Sequence, residues 1–157
     1  MEKKKKYLLL ILLLLLIIVI VVLCLWLFKP DNRDNLPIDN DAVTWEGEQE
    51  LQHKKSSDNK IAIPCFDSLV FTANQTEQPV NFYNPQENSC LFQMGLYVDG
   101  NFLWESGYVQ PGDGYYTITL NKSLESGEYS GYLLINCFLT DGTELNSAKV
   151  EFNLTVE

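Results

Sequence analysis

The chain has 157 residues with 11 Lys and Arg against 21 Asp and Glu, a net charge of −10. The charge is unevenly spread: residues 1–60 hold nine basic and nine acidic side chains, whereas 61–157 hold twelve acids and only Lys122 and Lys149. Such an acidic half excludes nucleic-acid binding through backbone phosphates, which needs a basic face, and it repels anionic lipid.

In chain order, residues 1–6 form a basic tail and Tyr7 to Phe28 is an apolar run of 22 residues without Gly, Pro, Ser, Asn or charge. At about 1.5 Å per residue a helix of that length spans roughly 33 Å, enough for a hydrocarbon core of about 30 Å. The run is longer than a signal-peptide core, and Leu25, Trp26, Leu27, Phe28, Lys29 and Pro30 offer no small-residue cleavage site. Leu23 directly before Cys24 departs from a lipoprotein signal, so Cys24 reads as an apolar helix residue. The expectation is a single-pass, uncleaved signal anchor over 7–28. Lys3 to Lys6 on one flank, against Lys29 and Arg33 interleaved with Asp31 and Asp34 on the other, place the N-terminus in the cytoplasm and the rest outside the cell membrane.

Residues 29–60, rich in Asp, Asn, Glu and Lys, are expected to form a polar flexible stalk. Trp45 is out of place in a solvated stalk; it docks on the following domain or touches a partner.

Residues 61–157 have the size of one small domain and the pattern of β structure. "DSLVFTA" and "QPVNFY" are two strands around the turn "NQTE". In "SCLFQMGLYV", Cys90, Phe92, Met94, Leu96 and Val98 share one apolar face. "DGN" is a hairpin signal and "FLWESGYV" the return strand, with Phe102 and Trp104 expected inward by parity. "QPGDG" turns into "YYTITL", where Tyr115 and Tyr116 must point to opposite faces. "YSGYLLINCFLT" follows, with Cys137 expected on the inward face of Leu133, Ile135 and Leu139, then a turn at Asp141-Gly142. In the last strand Ala148, Val150, Phe152, Leu154 and Val156 alternate with polar residues. About seven short strands without a helical period predict an all-β, two-sheet sandwich.

"SLESGEYSGYLLINC" resembles the tyrosine-corner region of immunoglobulin-like domains, in which a Tyr hydroxyl bonds back to the preceding loop. "VNFYNPQENSCLFQM", "LWESGYVQPGDGYYTITL", "ELNSAKVEFNLTVE" and, in the stalk, "AVTWEG" resemble a family of small, uncharacterised membrane-anchored surface proteins of Gram-positive bacteria. Where such sequences tend to carry Gly before Phe66, this chain has Cys65. The resemblance implies an immunoglobulin-like β-sandwich at the cell surface and no reaction.

The residues agree with a non-catalytic role. His53, the only histidine, lies in the stalk and leaves the domain without a base for triad chemistry. The three domain cysteines lack close-pair metal spacing, no Gly-rich phosphate loop follows a strand, and no cofactor is expected. "VDGN", "PGDG" and "TDGTE" read as plain turns, each with too few oxygens for calcium. A disulfide between Cys90 and Cys137 is a candidate covalent site, both residues being expected in the space between the sheets. It would close a loop of roughly 48 residues and stabilise by about 4 kcal/mol in the chain-entropy model. The outer compartment permits it, and two buried thiols are the alternative. The expected role is a binding or structural module contacting an unknown envelope protein, with a cell-wall glycan binder, using exposed aromatics near turns, as the alternative.

Overall fold

A computed structural model describes residues 6–7, 13–21, 36–47 and 61–157. The chain divides into two units, Met1–Asn32 and Arg33–Glu157. In the first, residues 6–7 and 13–21 are helical, and no described helix is long and apolar enough to cross a membrane. The rest of the 7–28 span lies outside the described residues.

The second unit is all-β, with eight strands in two sheets: β1 (Val43–Thr44), β2 (Ser68–Phe71), β3 (Glu77–Tyr83), β4 (Leu91–Val98), β5 (Asn101–Glu105), β6 (Asp113–Thr119), β7 (Gly127–Phe138) and β8 (Glu144–Val156). One sheet has the order β1-β6-β3 and the other β2-β8-β7-β4-β5. Neighbours pair antiparallel, except that β2 runs parallel to β8. Period-2 alternation builds these strands: the even positions of β4, from Phe92 to Val98, and of β8, from Phe152 to Val156, are buried together. Phe82, Tyr115 and Ile118 from the smaller sheet meet Phe92, Leu133, Ile135 and Leu154 from the larger in one core. Phe66, just before β2, packs its ring 5.4 Å from Phe82 and 5.3 Å from Phe152.

The β4–β5 turn has the signature its sequence demands. Asp99 (φ 47°) and Gly100 (φ 76°) both adopt positive φ, as a two-residue type I′ hairpin requires. The Asp99 carboxylate accepts the Ser130 N–H at 3.0 Å, tying this turn to β7. At the start of β7, the Tyr129 hydroxyl donates to the Glu125 carbonyl at 3.0 Å, the back-bond that the tyrosine-corner resemblance implies.

Three expectations are corrected. The 29–60 stalk does not run to the domain, because residues 36–47 belong to the β unit: β1 pairs with β6 and Ile38 bridges to Tyr108. Residues 29–35 and 48–60 lie outside the described residues. Phe102 is exposed rather than inward. β5 carries an extra residue, Leu103, between the pairs Leu96↔Trp104 and Tyr97↔Phe102, and this bulge rotates Phe102 to the outer face. Leu139 is also exposed, since β7 ends at Phe138 and Leu139 begins the hairpin loop, where its N–H donates to the Thr143 carbonyl at 2.9 Å.

Candidate functional site

Residues 36–47 form a strap across the edges of both sheets, held at two anchors. The first is Asp39. Its N–H donates to the Tyr108 carbonyl at 2.9 Å, and its Oδ2 accepts the Gly107 N–H at 2.6 Å and the Tyr115 hydroxyl at 2.5 Å. Burial by itself would raise the Asp39 carboxyl; the donors Tyr115, Asp41 and Gly107 outweigh it and hold the group below its ordinary value of 3.8. The same contact, with burial as the larger cause, pushes the Tyr115 hydroxyl well above the usual tyrosine range. The seat is close-fitting: a Cβ on Gly107 would lie 3.1 Å from the Asp39 side chain.

The second anchor is Trp45. Its indole lies between two tyrosines, 5.0 Å from Tyr83 with planes 9° apart and 4.4 Å from Tyr116 with planes 17° apart. The register explains the slot. Tyr83 of β3 faces Gly114 of β6, and a Cβ on Gly114 would come within 2.6 Å of the Tyr83 side chain and 2.5 Å of the Phe82 carbonyl oxygen. The missing side chain lets β3 approach β6 there. The Glu46 N–H closes the clamp by donating to the Tyr116 hydroxyl oxygen at 2.8 Å. The Trp45 indole N–H is buried without a hydrogen-bond partner; among the described residues only Asn81 Oδ1 shares that state.

Cys90 and Cys137 are brought together, though not across the sheets. Cys90 immediately precedes β4, and Cys137 of β7 pairs opposite Phe92, so both belong to the five-stranded sheet as diagonal neighbours. A bridge between them would therefore lie within one sheet. Both are buried thiols. Burial raises the Cys90 thiol and pushes Cys137 up to about 12, with the neighbouring Cys90 adding to the shift. Cys65 is half-buried.

Sequence reasoning missed an asparagine network in "YNPQENSC". Asn84, fully buried, donates to the carbonyls of Cys90 (2.9 Å) and Val109 (3.0 Å). Its Oδ1 accepts from Asn88 at 2.8 Å, and Asn88 exchanges two hydrogen bonds with the Ala62 backbone. The pair secures the chain entering β2 to the loop before β4. The available signal was an Asn-Pro step ending a strand, with a second Asn four residues on.

On the outer face of the larger sheet, Phe102, Tyr97 and Tyr132 form a row. Tyr97 stacks on Tyr132 at 4.8 Å with planes 6° apart, Phe102 meets Tyr97 edge-on at 5.5 Å, and Lys149 lies 4.3 Å from the Tyr132 centroid while pairing with Glu151 at 2.7 Å. A shallow depression beside this row is lined by Asp67, Asp99, Tyr132, Lys149, Glu151 and Asn153. Asp99 and Asp141, the turn carboxylates, accept backbone N–H groups of Ser130 and Thr143. Among the described residues no group of three or more His, Cys, Asp or Glu could hold a metal ion. His53 lies outside the described residues.

Comparison of the chain with protein-family models, with curated proteins and with solved structures gave no match.

Proposed function

We propose that the protein is a membrane-anchored surface module of Gram-positive type: a single-pass helix over 7–28 displays a non-catalytic immunoglobulin-like β-sandwich outside the cell, where it contacts another envelope protein. The observation that carries this reading is the pairing of a 22-residue uncharged apolar run behind Lys3–Lys6 with a separate β unit that begins soon after it. The parallel β2–β8 pairing and the Tyr129–Glu125 bond support the immunoglobulin-like assignment.

The most perturbed groups of the β unit, Tyr115, Cys90 and Cys137, are pushed toward their neutral forms by burial, and Asp39 is occupied by three donors. The glycan alternative draws on the exposed aromatics, which would stack on sugar rings. Trp45 has both faces covered by tyrosines, and Tyr132 is flanked by Tyr97 and Lys149. Those ring faces are already in use, which favours a polypeptide partner.

Crosslinking in intact cells, followed by isolation of the full chain and mass spectrometry, tests this reading. A specific envelope polypeptide is expected among the products. Retention on isolated cell-wall glycan with no crosslinked polypeptide would reverse the order of the two alternatives.

A further inference from the structure

On the outer face of the five-stranded sheet, Phe102 of β5, Tyr97 of β4, Tyr132 of β7 and Glu151 of β8 pair in turn, so they lie on one line across the strands. At one end of this line a cation is already held. The Lys149 ammonium lies 4.3 Å from the Tyr132 ring centroid and 2.7 Å from the Glu151 carboxylate, between an aromatic ring and an acid. At the other end is Phe102, the one exposed phenylalanine among the described residues, at 46%. Acids flank it as well. Asp99 stands three residues before it in the β4–β5 turn, and Glu105, paired opposite Gly95, shares the outer face with Tyr97. Both are exposed, and among the described residues neither has a cationic partner.

We propose that this face takes an extended, cationic segment of a polypeptide partner, with one Lys or Arg side chain seated over Phe102 between Asp99 and Glu105, as Lys149 is seated over Tyr132. This rests on the partner being a polypeptide, as proposed above, and adds its chemistry and its place on the sheet. Charge complementarity selects the occupant. Asp67, Asp99, Glu105 and Glu151 surround the row against Lys149 alone, so the face attracts a basic chain and repels a second copy of itself. Asp99 stands between two shallow depressions, one reaching Phe102, Asn121 and Glu125 and the other Asp67, Tyr132 and Glu151. A strip of that form suits an extended chain. The row is also set in advance, because Tyr97 stacks on Tyr132 with planes 6° apart.

The test titrates the full chain, in non-ionic detergent, against a labelled synthetic peptide alternating arginine and serine, read by fluorescence anisotropy. The Phe102→Ala/Glu105→Gln variant should bind about tenfold more weakly than the wild type, the combined scale of one exposed cation–aromatic contact and one exposed ion pair. Glu87→Gln removes the same charge from the loop between β3 and β4 and should leave binding almost unchanged. A peptide alternating glutamate and serine should not bind. Equal affinity of the double variant and the wild type, or an equal loss in Glu87→Gln, overturns the proposal. So does self-association, or retention on isolated cell-wall glycan, that the double variant loses while its peptide binding stays unchanged. Should the double variant fail to fold, an arginine–serine peptide with a photoreactive group is applied to the wild-type chain. Labelling within residues 97–105 supports the proposal, and labelling elsewhere or none overturns it. The crosslinking in intact cells described above reports separately on whether a polypeptide partner exists, so either reading can fail alone.

Discussion

Phe152 and Lys149 lie three residues apart on β8 and should answer oppositely to the same change. Phe152 is buried against Phe66, and its ring lies over Gly131, where an added Cβ would come within 2.4 Å of it. Phe152→Asp removes a large core side chain, a loss of about 3–5 kcal/mol, and buries a charge as well; the domain should unfold. Lys149 lies on the outer face over Tyr132, and Lys149→Asp should cost a small fall in melting temperature by placing like charge beside Glu151. Equal melting temperatures for the two variants would refute the register of β8. Asn84→Ala should also be severe. It strips donors from two buried carbonyls, each costing about 1–3 kcal/mol when unsatisfied, and releases Asn88. Thermal melting against the wild type checks it. At this scale the inward residues of β4 and β8 were legible, because a strand places alternate side chains on opposite faces. Asn84 was not, because a buried asparagine reads as a turn residue until its partners are known.

The strap is the element in which sequence and structure diverge most. Its composition is that of a solvated linker, and only Trp45 stood out. Its anchors join residues 68 to 76 positions apart, and such pairings leave no local signature. The β5 bulge was hidden for a related reason, since one extra residue in a strand leaves the composition unchanged while reversing the facing of Phe102. The strap carries a pH dependence whose sign follows from Asp39. Its carboxyl in the folded state is depressed below 3.8, so its contribution to docking is complete above that value and is lost as the pH falls through the lower folded value. Acid titration followed by tryptophan fluorescence should show Trp45 leaving its slot at low pH, with Asp39→Asn already loosened at neutral pH. A titration curve unchanged by Asp39→Asn would refute the role of this carboxylate. Trp45→Ala should cost about 1–3 kcal/mol for two lost aromatic contacts, measurable in the denaturation midpoint. For the Cys90–Cys137 pair, burial keeps both thiols protonated at neutral pH, so oxidation of the folded protein should be slow and any bridge must form before β4 and β7 close over it. Thiol labelling under denaturing, non-reducing conditions decides the matter: loss of reactivity at both residues supports the bridge, and labelling of both refutes it.

For the molecule as a whole, two packed β-sheets were legible from seven alternating segments and two Asp-Gly turns, all of which correspond to strands and hairpins. The eighth strand and the true start of the β unit were not, because β1 is two residues long and forms only against β6. The proposed display depends on the apolar segment staying with the chain after export. Intact-mass measurement of the protein extracted from the membrane fraction tests that most directly. The proposed topology predicts a mature chain that retains residues 1–28; a mature chain lacking them would contradict it.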